Sequence, residues 1–263
     1  MNQLPYPLEF LHKYNLFKWL GLLIEEDDLP SIARIYGVPL AELELMEQGF
    51  RETIARLAAQ LAAERPPQPA PSPVTILALG DSLTSDRQSY VKILRRYWEG
   101  DPNRRILDSA VSGDTASHVL NRFHRTVLQH RFDWAIVFLG TNDCRRMDEP
   151  GGLANLSLEE YERDLRYLTG RLSRHGARLV LVTLPPVDNL RLRQFFTESN
   201  STYDLDRIDA TNAFLRRLAS ETGAALADLA AAVGAGDVLE SDGIHLNANG
   251  QLILARLLVS LLP

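Results

Sequence analysis

Cysteine is almost absent from this sequence. The single residue, Cys144, excludes an intramolecular disulfide and a thiolate-clustered zinc or iron–sulfur centre. Lysine is scarce as well: beyond position 73 only Lys92 occurs, and no Gly-x-x-x-x-Gly-Lys-Ser/Thr segment exists, so P-loop phosphate chemistry is excluded. A His-Glu-x-x-His pair and other metal-ligand spacings are missing too. No apolar run approaches about 20 residues, the length a membrane-spanning helix needs. The apolar stretch 15–24 is interrupted by Lys18, lacks a basic segment before it, and runs into Glu25, Glu26, Asp27 and Asp28 where a signal peptide has small residues. These absences lead us to expect a soluble, cytoplasmic protein. A formal charge of −6 argues against broad binding to nucleic acid or anionic membranes, which calls for clustered Lys and Arg.

What is present has ordinary globular proportions: 263 residues, 45% apolar and 24% charged. The clearest boundary is residues 66–73, where Pro66, Pro67, Pro69, Pro71 and Pro73 can neither continue a helix nor sit in a central strand. It divides a helical N-terminal region, 1–65, from a longer unit, 74–263. In the first region Phe50, Ile54, Leu57 and Leu61 recur at helical spacing. The segment around 8–24 is dense in Leu, Phe, Tyr and Trp, which implies burial against the second domain, another subunit or a substrate's acyl chain. The N-terminal helices are therefore also a candidate surface for homo-oligomer formation.

Residues 74–263 alternate between short β-branched apolar runs and helical patterns. Strands are expected at 74–79, 106–111, 134–139, 179–184 and, more weakly, 224–229. Helices are expected near 90–98, 116–128, 158–172, 208–222 and 251–262. Such alternation implies a parallel sheet covered on both faces, with reactive groups at the carboxyl ends of the strands.

The polar motifs obey that rule. The first strand runs into Gly80-Asp81-Ser82-Leu83, where a serine on a sharp strand-to-helix turn presents its hydroxyl, although a helix-capping serine accounts for the same pattern. After the second strand, Ser112-Gly113-Asp114-Thr115 offers an unobstructed N–H donor or a helix entry. Gly140-Thr141-Asn142-Asp143 follows the third strand, and the Asn142 amide can serve an oxyanion or close a turn. Asp242-Gly243-Ile244-His245 carries the most informative spacing, because a carboxylate three residues before an imidazole can hold it in one tautomer. The other histidines have no comparable setting.

Together these four blocks resemble the SGNH hydrolase family, also called GDSL esterases and lipases, across roughly three-quarters of the chain. The resemblance implies a three-layer α/β/α flavodoxin-like domain and a serine esterase that needs no cofactor and no metal. It implies Ser82 as nucleophile, His245 as general base and acid oriented by Asp242, and an oxyanion hole of Ser82 N–H, Gly113 N–H and the Asn142 side chain. Asp108-Ser109-Ala110 departs from the usual second block, and residues 1–65 fall outside the resemblance.

A small-molecule ester of short-to-medium acyl chain is the expected substrate. Thioesterase or lysophospholipase activity with the same residues is the alternative, and a binding or assembly protein working through the N-terminal helices is the non-enzymatic one. The segment 188–206, with Leu190, Leu192, Phe195 and Phe196, is long for a loop and flanks the cleft or packs on the helical region. Ala33-x-x-x-Gly37 resembles a helix-turn-helix step, but the following helix presents Glu42, Glu44 and Glu47, which repel phosphates. Ser89-x-x-Lys92 lacks the companion motifs of penicillin-binding enzymes.

Overall fold

A computed structural model of the chain describes residues 6–20, 24–147, 152–234 and 236–263. Residues 21–23 of the apolar N-terminal stretch and Ala235 lie outside the described residues. The order of elements is α1 (Leu8–Lys13), a 3₁₀ turn (Leu16–Leu20), α2 (Leu29–Tyr36), α3 (Leu40–Glu64), β1 (Val74–Gly80), α4 (Ser82–Ser85), α5 (Tyr90–Tyr97), β2 (Arg104–Asp108), α6 (Ala116–Thr126), β3 (Trp134–Phe138), β4 (Arg145–Arg146), α7 (Leu158–Arg174), β5 (Arg178–Val182), α8 (Asn189–Phe195), β6 (Thr202–Tyr203), α9 (Leu205–Thr222), β7 (Ala225–Ala227), α10 (Leu229–Val233) and α11 (Ala248–Leu261).

Five strands form one parallel sheet in the order β2-β1-β3-β5-β7. Its central strands read as continuous apolar runs because helices cover both faces. Ile76, Leu77, Ala135, Ile136, Val180 and Leu181 are fully buried. Helices α5 and α11 pack together on one face, and α6, α7 and α9 follow one another on the other, giving three layers. Helix starts are chemically marked. Ser157 and Glu160 cap α7 reciprocally, and the side chains of Asp204 and Asn247 accept backbone N–H bonds at the starts of α9 and α11. The strand order reverses between β1 and β3, so a crevice opens at their carboxyl ends.

The second strand ends earlier than the apolar run suggests. Asp108 Oδ1 accepts the Ala110 N–H at 3.1 Å, a local turn that competes with the ladder. Ser109 and Val111 N–H nevertheless still donate to Ala78 and Gly80 of β1. The segment after β5 holds a short helix, α8, and β6, which pairs antiparallel with β4.

The N-terminal helices join the sheet domain closely. Leu57, Ala58 and Leu61 of α3 belong to the same buried cluster as the sheet, resting against α5 and α11. Nearer the N-terminus, Phe17, Ile32, Ala33 and Leu43 form a small core of their own. Residues 66–73 contain no helix or strand. They are pinned to the sheet domain where Ala70 N–H donates to Asp101 Oδ2 at 2.9 Å and Asn103 Nδ2 donates to Ala70 O at 2.9 Å. Among the described residues no helix is long and apolar enough to cross a membrane.

Because Leu61 is only 1% exposed within the shared cluster, Leu61→Ala should destabilise the full chain by about 2–5 kcal/mol. Urea denaturation measures this, and a loss well under 1 kcal/mol would mean that α3 adds nothing to the sheet domain's stability.

Candidate active site

Ser82 is the first residue of α4, directly after β1 and Asp81. The turn is tight enough to require glycine before it: a Cβ on Gly80 would lie 2.1 Å from Thr84 Oγ1. Asp81 caps the turn by accepting the Leu83 N–H at 2.9 Å. The opposite wall is the loop before α11. There Gly243 adopts φ +74°, and a Cβ would meet Asp188 O at 2.3 Å, so both backbone shape and space demand glycine. This bend brings Asp242 and His245 beneath Ser82.

The three side chains form an unbroken hydrogen-bonded chain. His245 Nε2 lies 2.8 Å from Ser82 Oγ, and His245 Nδ1 lies 2.7 Å from Asp242 Oδ2. Asp242 Oδ1 accepts the N–H groups of Ile244 and His245 at 2.9 and 3.0 Å. Burial opposes ionisation of Asp242, but the imidazole and these two amides outweigh it and bring its carboxyl down to about 2. An ionised Asp242 accepts the Nδ1 proton, which leaves the Nε2 lone pair facing the Ser82 hydroxyl.

Gly113 and Asn142 lie on the same cavity as Ser82 and His245. Gly113 has φ +80°. Among the described residues neither its N–H nor that of Ser82 donates to another protein group. Asn142 Nδ2 donates to Asp114 O at 3.1 Å and to Asp81 Oδ2 at 3.2 Å, at the upper end of the usual range. Burial pushes Asp81 up to about 7, and it does the same to Asp143, whose Oδ1 accepts the Ala116 N–H at 3.0 Å.

The cavity measures ≈ 90 Å³ and has two unlike walls. One is apolar, with Phe10 and Tyr14 of the N-terminal segment facing Leu192, Phe196 and Ile244. Phe10 packs edge-on against Phe196 at 5.3 Å, joining α1 to the segment after β5. The other wall is polar, lined by Thr141, Arg145, Ser199 and Ser201, with Arg145 donating through Nε and Nη2 to Ser201 Oγ. Of the four apolar residues marked in segment 188–206, Leu192 and Phe196 line the cavity, Phe195 packs on Phe10 and Phe196, and Leu190 is exposed. Cys144 stays outside it, buried against Thr211 at 3.5 Å, and burial pushes its thiol up to about 11.

Tyr14 was invisible to motif reasoning. Its ring stacks on the His245 imidazole with centroids 3.8 Å apart and planes 21° from parallel. Aromatic density in the N-terminal segment was the one available signal. Among the described residues no cluster of three or more His, Cys, Asp or Glu side chains is arranged to hold a metal ion.

A serine–imidazole–carboxylate chain at the carboxyl edge of a doubly wound sheet is the layout of an α/β/α hydrolase. The chain belongs to the GDSL-like lipase/acylhydrolase family, whose model matches residues 78–253, and is by class a carboxylic ester hydrolase. It is 29% identical over 164 residues to an acetylxylan esterase of Geobacillus stearothermophilus, covering 58% of this chain and 69% of that protein. It is 27% identical over 130 residues to thioesterase 1/protease 1/lysophospholipase L1 of Escherichia coli K12, covering 47% of this chain and 58% of the relative. Among solved structures, an acetylxylan esterase from Geobacillus stearothermophilus superposes with TM-score 0.57 at 20% identity over 72% of this chain and 94% of its own. A lipase/acylhydrolase from Enterococcus faecalis gives 0.59 at 21% identity, over 71% and 94%.

The buried carboxyl of Asp143 sets a pH signature. Its folded pKa of about 7 lies above the unfolded value, so between about pH 4 and 7 the folded chain holds a proton that the unfolded chain has released. Stability contributed by this group is therefore lost as pH rises through that window. Asp143→Asn, which keeps an acceptor for the Ala116 N–H, should flatten the decline and raise stability at pH 8. Denaturation midpoints measured from pH 4 to 8 check this, and an unchanged slope would place the ionisation elsewhere.

Proposed function

We propose that this protein is a serine esterase that hydrolyses carboxylic esters of short acyl chain through an acyl-enzyme on Ser82. The observation that carries the proposal is the continuous Ser82–His245–Asp242 hydrogen-bonded chain opening onto a cavity of ≈ 90 Å³. A cavity of about 150 Å³ accommodates benzene, so this one suits an acyl group of roughly three or four heavy atoms. The acetylxylan esterase relative acts on an acetyl ester by name, which supports the same size class.

In this mechanism Ser82 Oγ attacks the ester carbonyl while its proton passes to His245 Nε2, and Asp242 stabilises the resulting imidazolium. The tetrahedral oxyanion is met by the N–H groups of Ser82 and Gly113. Asn142 adds a third donor by sharing the N–H it now directs at Asp81 or Asp114. Each such donor contributes roughly 3–4 kcal/mol to the transition state. The alkoxide leaves with the proton from His245. Water then gives a proton to the same nitrogen and attacks the acyl carbonyl. Collapse of this second tetrahedral species breaks the bond to Ser82 Oγ, which takes the proton back from His245 as the acid leaves. A thioester follows the same steps with a thiolate leaving group, and the relation to the Escherichia coli thioesterase/lysophospholipase supports that as the second reading.

On p-nitrophenyl esters graded from acetyl to dodecanoyl, kcat/KM should peak at two to four carbons. Ser82→Ala should lower kcat by several orders of magnitude, and Asn142→Ala by about a hundred- to a thousand-fold. A peak at eight carbons or longer would contradict the short-acyl reading, and turnover independent of Ser82 would remove the nucleophile assignment. Phe10→Ala, which removes part of the apolar wall, should shift the optimum toward longer chains in the same series. An unmoved optimum would show that Phe10 does not bound the acyl site.

A further inference from the structure

The stacked ring of Tyr14 lies outside the family-matched span, which begins at residue 78. An N-terminal segment could meet His245 by incidental packing, but here the approach is built. Asn15, immediately after Tyr14, is the one described non-glycine residue with positive φ, at +52°. That conformation costs energy and persists only when its surroundings hold it. Asn15 Nδ2 donates to Ser85 O at 2.7 Å, at the far end of the turn that begins with Ser82. The Tyr14 carbonyl accepts the Ser112 hydroxyl, next to Gly113. Lys13 O accepts the Arg87 N–H, and His12 O accepts Arg87 Nε at 3.1 Å. Successive residues 12–15 are thus each tied to the loops that carry Ser82 and Gly113.

We propose that Tyr14 is a positioning residue for His245: its ring fixes the plane of the imidazole and stabilises, face-on, the imidazolium formed when Ser82 attacks. The inference rests on the roles proposed above for Ser82 and His245. The face of an aromatic ring carries negative charge density, and a cation within about 6 Å of its centroid is attracted, more strongly where water is excluded. Phe10 closes the same side, its ring edge-on to His245 at 5.7 Å. The imidazole therefore has Asp242 at Nδ1, Ser82 at Nε2 and Tyr14 across one face. Among the described residues, the carboxyls of Asp81 and Asp86 also act on it, Arg145 lines the same cavity, and the ion pair Lys13–Glu240 flanks Tyr14 and Asp242, its ammonium 5.6 Å from the Tyr14 ring. Tyr14 gives and takes no proton in this scheme; it acts through His245.

The test compares Tyr14→Leu and Tyr14→Phe with the wild type on p-nitrophenyl acetate, with Ser82→Ala alongside. Leucine keeps the site dry but has no ring face. It should lower kcat roughly ten-fold with little change in KM, and move the acidic limb of the kcat/KM profile to lower pH by roughly half a unit or more. Tyr14→Phe should restore most of the lost kcat and the original limb. A folded Tyr14→Leu enzyme with unchanged kcat and pH profile would overturn the inference, and so would a defect confined to KM. Should Tyr14→Leu fail to fold, Tyr14→Met, which fills the space without a ring face, takes its place and must produce the same shift of the limb; its absence would equally overturn the inference. Wild-type turnover that survives Ser82→Ala would instead bring down the function proposed for the site.

Discussion

The imidazole of His245 is the group on which the site depends, and it is held from several directions at once. Asp242 takes one nitrogen, Ser82 meets the other, and Tyr14 covers a face. Asp242 is itself fixed by two backbone amides of its own loop, so the carboxylate is committed before any substrate arrives. Such a ring has one tautomer and little rotational freedom, which is what proton transfer between a serine and a leaving group requires. The sheet contributes by position: β1 delivers Ser82 at the strand-order reversal, and the loop before α11 brings the Asp242–His245 pair up from the other side.

Attachment of the N-terminal helices follows from one buried guanidinium. Arg87 lies in the loop after α4, with Nη1 donating to Glu47 of α3 at 2.6 Å, Nη2 to the carbonyl of Glu26 at 2.8 Å and Nε to the carbonyl of His12. Lys92 and Lys18 pair with Glu26 at 2.6 and 2.8 Å, and the two ammonium groups bring Glu26 down to about 2 against the opposing effect of burial. A buried charge with several satisfied partners is costly to break, so these contacts specify how the helices sit. Their apolar counterpart is the Leu57–Leu61 face of α3 on α5 and α11. Stability at the outer end and chemistry at the inner end are therefore joined through the N-terminal segments, residues 6–20 and 24–64.

Much of this was legible in the sequence, and for a physical reason. Parallel α/β sheets put reactive groups after strands, so Ser82, Gly113 and Asn142 could each be located from a short apolar run followed by a polar motif, whereas the Asp242–His245 pair, which comes after α10, stood out by its three-residue spacing alone. The strands β4 and β6, two residues each, are too short to leave a periodic pattern, and with them the polar wall around Arg145 and Ser201 stayed hidden. The contact of Tyr14 with His245 joins residues far apart in the chain and has no motif of its own. Only the aromatic density of the segment hinted that it covers something. Asp81 and Asp143 were readable as turn residues, whereas their shift toward neutrality comes from burial that no local pattern reveals.

Covalent capture tests the central claim most directly. The intact protein would be exposed to a p-nitrophenyl alkylphosphonate, which reacts with an activated serine and leaves a stable tetrahedral adduct, and the modified peptide would be located by mass spectrometry. The account predicts one adduct per chain, on Ser82, with none in His245→Ala at matched exposure. An adduct on another residue, or labelling of Ser82 that does not depend on His245, would contradict it.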